Sequence, residues 1–226
     1  MPIPRPRPPR PRALGWFLLA GVTGYALAWI VVSLTILAMS TSARSAERAQ
    51  RAPAGVPGIH NFAHVDSHLW RGAAPTAEGY RRLADLGVHT VVDLRAENLA
   101  PAALRLPVDA GLTVVRLPMR DGQAPAPGQV ERFLATVKAA RGPVFVHCGA
   151  GVGRTGTMSA AYLVRTGQAD AAEATARSLA VGPPTLEQVA FMRGLTGDRV
   201  ARPPAAVVAL SRVADSPRRS WARLGF

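Results

Sequence analysis

Residues 144–156 read Val-Phe-Val-His-Cys-Gly-Ala-Gly-Val-Gly-Arg-Thr-Gly, and this stretch decides the fold. The apolar run 144–146 predicts a buried parallel strand, and residues 157–164 beyond the stretch predict a helix. A strand, a Gly-rich turn and a helix N-terminus form an anion site, because free backbone N–H groups point into the turn. The glycines let successive amides converge without a Cβ between them. The predicted phosphate-binding residues of the turn are Gly149, Ala150, Gly151, Val152, Gly153 and Arg154.

Two side chains add chemistry to this turn. Arg154 carries a planar guanidinium that can hold two oxygens of a phosphate. Cys148 lies at the mouth of the turn, where the helix dipole, the amides and Arg154 favour the thiolate, a nucleophile for the phosphorus of a bound phosphate. A single cysteine is often only a small buried apolar residue. The fixed spacing of His147, Arg154 and Thr155 around Cys148 favours the nucleophile instead.

The stretch matches a Cys-x5-Arg-Ser/Thr signature, and the chain resembles the cysteine-dependent protein tyrosine and dual-specificity phosphatases, in a bacterial membrane-anchored form. The resemblance spans roughly residues 59–197. It implies an α/β fold with a mostly parallel central sheet flanked by helices, and it implies no metal or other cofactor. It also implies that Thr155 hydrogen-bonds the departing thiolate, and that His147 orients the loop and tunes the thiolate rather than transferring protons.

Breaking the phosphate ester needs a proton donor on the leaving oxygen, and we predict that Asp121 is this general acid. Asp121 follows a predicted strand and lies 27 residues before Cys148. The carboxyl ends of parallel strands form the edge where ligands bind. Asp-Gly is also a common turn pair, and Asp93 is the main rival, although the resemblance implies a structural role for it. Gln188 lies where some family members carry a water-positioning glutamine, and a plain exposed helix residue is the alternative.

The predicted reaction is hydrolysis of phosphotyrosine, and in wider scope phosphoserine or phosphothreonine, through a phosphocysteine. The substrate is then a phosphorylated protein or a small phosphomonoester. Phosphoinositide-selective relatives often carry lysines in the loop, where this chain has Gly149, Ala150 and Val152. A phosphoinositide or inositol-phosphate phosphatase therefore stays as the alternative. A non-catalytic phosphate-binding module is a lesser alternative, and rhodanese-like sulfur transfer would not need the Arg-Thr-Gly that follows.

Charge is unevenly distributed along the 226 residues, whose formal net charge is +13. Seven arginines and one glutamate lie in 1–51, and five arginines and one aspartate lie in 200–226, whereas the central region is nearly balanced. Basic ends suit a membrane surface better than nucleic acid, for which we predict no binding. One cysteine excludes an intramolecular disulfide and a multi-cysteine zinc site.

The ends differ in composition from the centre. Residues 1–12 alternate proline and arginine, which predicts a disordered extended arm, and 13–39 contain no charged side chain. At about 1.5 Å per residue a helix over 13–39 would exceed the roughly 30 Å hydrocarbon layer, so we predict a single-pass transmembrane helix, with a cleaved signal as the alternative. The flanking arginines do not settle which side of the membrane carries the catalytic domain. Residues 40–58 are predicted to be a linker, and 198–226 a mobile basic tail.

Alternating strand and helix patterns fill the predicted phosphatase domain, 59–197. The predicted strands lie at 61–65, 67–72, 89–95, 112–117 and 144–146, the first two as edge strands. The predicted helices lie at 75–86, 128–140, 157–164, 170–181 and 185–196, with Thr76 as the N-cap of the first.

Overall fold

A computed structural model of the chain describes residues 11–48, 55–200 and 202–215. Its strands are β1 (Ala63–His64), β2 (Leu69–Ala73), β3 (Thr90–Arg95), β4 (Thr113–Met119) and β5 (Val144–Cys148). Its helices are α1 (Pro11–Arg48), α2 (Ala77–Asp85), α3 (Pro101–Asp109), α4 (Pro127–Ala139), α5 (Gly153–Arg165), α6 (Ala171–Val181), α7 (Leu186–Arg193) and α8 (Ala205–Ala214).

The strands of the described region form one five-stranded mixed sheet in the order β1-β2-β5-β3-β4. β2 and β3 flank β5 in parallel, β4 extends the sheet in parallel beside β3, and only β1 pairs antiparallel. The α/β fold with a mostly parallel sheet is confirmed. β5 is therefore central, and its carboxyl end delivers Cys148 to the edge of the sheet where ligands bind.

The central strand is buried on both faces, which explains its continuous apolar sequence. Val144, Val146 and Cys148 pack into a large core with α4, α5, α6 and α7, whereas Phe145 faces a smaller core with α2. All five residues of β5 are buried. Side chains of a strand alternate between faces, so Cys148 lies on the side from which α5 leaves the loop.

The second strand and its helix show both a correction and a confirmation. β2 was predicted as an edge strand, but it lies between β1 and β5. The two-residue β1 occupies the edge of the sheet on that side. The position of β2 beside β5 places the end of β2 directly under the loop 149–154.

Helix α2 begins after Thr76, whose side chain accepts a hydrogen bond from the Gly79 amide, so the predicted N-cap is confirmed.

Helix α1 covers the predicted transmembrane segment and runs on to Arg48, nine residues into the range assigned to a linker. In its last turns Ile36 and Ser40 are buried, and the Ser40 hydroxyl donates to the Leu179 carbonyl of α6 at 2.7 Å. By length and composition, 15–45 is the one stretch in the described residues that could cross a membrane. A signal sequence would have the same properties. Residues 1–10 of the predicted Pro/Arg arm lie outside the described residues.

The carboxyl-terminal region is not simply a tail. Residues 205–214 form helix α8, which packs on α7, so the prediction of a mobile tail is wrong for this segment. Ser211 of α8 is 1% exposed, because it faces α7 rather than solvent. Residues 216–226 lie outside the described residues.

Candidate active site

The carbonyl oxygens of the loop after β5 point away from the centre of the loop and bind neighbouring segments. Three consecutive carbonyls accept hydrogen bonds from groups beneath the loop: Gly149 O from Ala74 N at 3.0 Å, Ala150 O from Asn61 Nδ2 at 2.9 Å, and Gly151 O from Arg71 Nη2 at 2.6 Å. Because each carbonyl is turned outward, the opposite sides of the same peptide planes turn their N–H groups inward. This arrangement builds the anion cup that the glycine pattern predicts.

Gly151 is the tightest point of the loop. Its φ is +72°, and a Cβ there would collide with the backbone of Gly72 and Ala73 in β2. Its amide donates to Cys148 Sγ at 3.3 Å, and Cys148 is 2% exposed. The loop therefore places the sulfur at the base of the cup, facing the amides that would surround a bound anion.

Arg154 lies in the first turn of α5 and is 3% exposed. Its Nη1 and Nη2 donate to the two carboxylate oxygens of Glu97 at 2.8 and 2.7 Å, and Nη1 also donates to Met119 O at 3.2 Å. Desolvation works to raise the pKa of Glu97, but the Arg154 hydrogen bonds and charge together with backbone hydrogen bonds outweigh it, and the pKa is lowered. Glu97 therefore grips the end of the guanidinium as a carboxylate.

The other edge of the Arg154 guanidinium faces Asp121 without a hydrogen bond. Its buried Nε makes no hydrogen bond to any residue in the described ranges, although Asp121 Oδ1 lies 3.2 Å away in a poor orientation. The edge formed by Nε and Nη2 is the fork that fits two oxygens of a phosphate. Asp121 itself is 66% exposed, so its carboxyl can leave Arg154 when an anion takes that edge.

The loop that carries Asp121 is fastened to the start of α7 by three hydrogen bonds. They join Thr185 Oγ1 to Gly122 O at 2.7 Å, Gln188 Nε2 to Gln123 O at 3.3 Å, and Ala124 N to Glu187 Oε1 at 3.0 Å. Gln188 is 1% exposed, so its interpretation as a plain exposed helix residue is wrong. Its amide also lies against Gly153, where a Cβ would collide with it. Gln188 thus touches both the loop that carries Asp121, called the acid loop below, and the loop 149–154 after β5.

His147 is buried and lies under the loop. Its Nδ1 can only donate to the Cys148 carbonyl, at 3.2 Å, so Nε2 accepts from the Tyr80 hydroxyl, also at 3.2 Å. Burial lowers the pKa of His147 to about 4, with Arg95 and Arg154 acting in the same direction and Asp93 opposing. His147 is therefore neutral at neutral pH and orients the loop through a hydrogen bond.

Thr155 is fully buried, and its hydroxyl has no hydrogen-bond partner among the described residues, Cys148 Sγ included. The hydrogen bond from Thr155 to Cys148 Sγ that the resemblance implies is thus not formed in this structure. A buried hydroxyl without a partner is costly, and such groups concentrate where a ligand or a changed state supplies the missing bond.

The rival acids do not reach the cup. Asp93 receives hydrogen bonds on both oxygens from Arg95, at 2.9 and 3.0 Å. Desolvation works to raise the pKa of Asp93, but the hydrogen bonds from Arg95 and the nearby positive charges together lower it. Asp109 is the last residue of α3 and lines a surface hollow together with Arg81 and Asp85 of α2. Within the described ranges, no group of three or more His, Cys, Asp or Glu residues could hold a metal ion.

Four residues of this site escaped the sequence patterns: Asn61, Arg71, Glu97 and Glu187. Glu97 could have been found, because it follows β3 at the sheet edge that also carries Asp121. Asn61 and Arg71 bind loop carbonyls that lie 89 and 80 residues further along the chain. No local sequence pattern predicts such pairs. Asn61 has a φ of +52°, unusual for a residue other than glycine, and its position in a turn is a weak signal.

Comparison with known proteins shows the family of this chain. A family model described as "DSP-PTPase phosphatase fused to NAD+ Kinase" matches residues 59–194, which is more than half of the chain. The chain is 37% identical over 96 residues to "NAD kinase 2, chloroplastic" of Arabidopsis thaliana, covering 40% of this chain and 10% of that protein. It is 43% identical over 68 residues to "Dual specificity protein phosphatase CDC14C" of Homo sapiens, covering 30% of this chain and 15% of that protein.

A solved structure extends the comparison to the fold. TpbA of P. aeruginosa, as a cysteine-to-serine variant in complex with pTyr, matches with a TM-score of 0.51 and 25% identity over 72% of this chain and 94% of that chain. The curated relatives are much longer, since the matched part of this chain spans 10% and 15% of their lengths. The chain belongs to the cysteine-dependent phosphatase superfamily, in the family of DSP-PTPase phosphatase domains that the matching model describes.

Proposed function

We propose that this phosphatase hydrolyses phosphotyrosine in proteins, and in wider scope phosphoserine and phosphothreonine, through a phosphocysteine on Cys148. One observation carries the proposal: the sulfur lies in an amide cup, three of whose carbonyls are engaged from outside, beside an arginine whose buried Nε makes no hydrogen bond within the described residues. Such preorganised donors stabilise the charge on the equatorial oxygens of a transferring phosphoryl group.

In the first step the Cys148 thiolate attacks phosphorus, and the bond from phosphorus to the leaving oxygen breaks. The loop amides and the open edge of Arg154 hold the three equatorial oxygens. Asp121 gives its proton to the leaving oxygen, which departs as an alcohol or phenol. The exposed position of Asp121 at the mouth of the cup suits this role, because the leaving group points toward solvent.

In the second step water attacks phosphorus and the bond from sulfur to phosphorus breaks. Asp121 accepts the proton of the water, and inorganic phosphate is released. Gln188, which contacts both loops, orients this water. Thr155, whose hydroxyl lacks a partner in the unliganded site, donates to the departing thiolate.

Two observations support a protein phosphoester as substrate. TpbA, with which the chain shares its fold at 25% identity, is solved with pTyr. The loop positions Gly149, Ala150 and Val152 offer no lysine to additional phosphates of an inositol ring. We also propose that α1 is a single-pass membrane anchor, because the large apolar side chains along 16–37 are mostly exposed.

The test is phosphate release by the full chain in detergent micelles, from a phosphotyrosine peptide, a phosphoserine peptide and a phosphoinositide. We expect turnover of the peptides, none in Cys148→Ser, and a fall of about 10²–10⁴ in Asp121→Ala. Asp85→Ala, which removes an exposed carboxylate on α2, is the matched control and should retain full activity. Turnover of the phosphoinositide alone would contradict the proposed substrate. Tight vanadate binding without any turnover would identify a binding module instead.

A further inference from the structure

Helix α8 lies beyond the segment that matches the phosphatase family, yet it contacts the part of α7 that fastens the acid loop. The family match ends at residue 194, and α8 begins at Ala205. Two hydrogen bonds connect α8 to a single residue, Glu187. α8 therefore lies outside the matched segment and contacts the residue that holds the Asp121 loop.

The two carboxylate oxygens of Glu187 connect the acid loop to α8. Oε1 accepts from the Ala124 amide in the acid loop at 3.0 Å, and Oε2 accepts from Arg212 Nε in α8 at 3.3 Å. The Glu187 side chain is 4% exposed and the Arg212 side chain 48%. A buried carboxylate is stable only when its charge is paired, and Arg212 is the cation that pairs with it.

A second contact fixes the backbone of the same residue. The Glu187 amide is one of the free N–H groups in the first turn of α7, and it donates to Ser211 Oγ at 3.0 Å. Ser211 is buried, so this bond is shielded from water. α8 thus holds both the main chain and the side chain of Glu187.

We propose that Glu187 is a positioning residue that holds the Asp121 loop in its catalytic geometry, and that α8 completes this support through Arg212. The inference rests on the proposed function, in which Asp121 is the general acid. Ala124 is three residues from Asp121, and the loop between them has no regular secondary structure, so its position depends on the α7 contacts. Displacing a catalytic group by about 1 Å can cost on the order of 100-fold in rate.

The test compares two aryl phosphates that differ in the acidity of their leaving phenol. A weakly acidic phenol, as in phenyl phosphate, needs the proton from Asp121, whereas a strongly acidic fluorinated coumarin leaves without it. A residue with only a structural role would change both rates equally. The ratio of the two kcat/KM values therefore reports the position of the acid.

The variants are Arg212→Gln and Glu187→Gln in the full chain in detergent, with Arg177→Gln as the control. Arg177 forms a solvent-exposed ion pair with Glu173 on α6, so its replacement removes an arginine charge without touching the contacts of Glu187. We expect phenyl phosphate turnover to fall about tenfold to 100-fold in both variants while the coumarin rate stays near wild type. Arg212→Lys should restore part of the loss, because it returns the positive charge.

Three outcomes decide between the two claims. A wild-type ratio in folded Arg212→Gln and Glu187→Gln, with an active wild-type protein, would overturn this inference and leave the proposed function intact. Absence of turnover of either ester by the wild-type chain would overturn the proposed function and this inference with it. Equal losses on both esters would also overturn the inference, because they indicate a general disturbance of the site.

Discussion

Glu97 offers the sharpest test of how the site is assembled, because it holds Arg154, the arginine proposed to bind phosphate, and no sequence motif predicts it. The perturbation is Glu97→Gln, which keeps the shape of the side chain. An amide can accept from only one of the two Arg154 nitrogens, and its own NH2 group faces the other. The variant therefore loses one of the two charge-assisted hydrogen bonds of 2.7 and 2.8 Å and the negative charge.

The magnitude follows from the exposure of the pair. Hydrogen bonds to charged groups contribute about 1.5–3 kcal/mol when buried, but exposed ion pairs contribute only about 0–1 kcal/mol. The Arg154 side chain is 4% exposed and the Glu97 side chain 49% exposed, so solvent screens one side of the ion pair. The lost interaction is therefore worth about 1 kcal/mol. This corresponds to about a fivefold loss in kcat/KM and a Tm lower by about 2–4 °C.

The assay is steady-state hydrolysis of an aryl phosphate by the full chain, together with thermal unfolding. We expect the loss in kcat, because a less restrained Arg154 is misaligned in the transition state. The KM for a dianionic substrate should not rise, because the variant also removes a negative charge beside the cup. Glu131→Gln, which breaks a 2.6 Å ion pair with Arg165 at similar exposure, is the control and should retain wild-type kcat. Unchanged kcat in Glu97→Gln would refute the role assigned to this carboxylate.

Two further predictions concern His147 and Gly151. Because burial lowers the pKa of His147 to about 4 from 6.5, the unfolded state binds a proton first as pH falls. The contribution of His147 to stability is then full above pH 6.5 and declines by about 3 kcal/mol toward pH 4. Urea unfolding at several pH values should show this decline in the wild type and a smaller one in His147→Gln. Equal pH dependence in the two proteins would contradict the prediction. Gly151→Ala should destabilise the fold by more than the roughly 1–2 kcal/mol of a positive φ, because its Cβ meets β2 backbone. Gly167→Ala has φ +71° with open space and isolates the φ cost in thermal unfolding, so equal losses in both variants would count against the steric argument.

The elements nearest the signature were predictable because their causes are local. An apolar run, a Gly-rich turn and a helix predict β5, the loop and α5, and these deliver Cys148 and Arg154 as expected. Asp121 was predictable for a related reason, since parallel strands bring their carboxyl ends to one edge. In each case a few adjacent residues carry the physical cause.

The remaining parts depend on pairings between distant segments. β2 reads as an edge strand because it follows the short β1 after a turn, and only the sheet order reveals that it lies beside β5. Helix α8 reads as a basic tail because its contacts are to Glu187, more than 20 residues earlier. Glu97 and Arg154 are 57 residues apart, so their pairing is invisible until the sheet forms.

The central claim is that Cys148 carries the phosphoryl group, and trapping this intermediate tests it most directly. The full chain with Asp121→Asn is mixed with an aryl phosphate whose phenol is strongly acidic, quenched rapidly and digested for mass spectrometry. Such a phenol leaves without an acid, whereas the second step has lost its base, so the intermediate should accumulate. We predict one phosphoryl group on the peptide that contains Cys148, at near-stoichiometric amounts and absent in Cys148→Ser. Continued turnover with no modified cysteine, or a phosphoryl group on another residue, would contradict the mechanism.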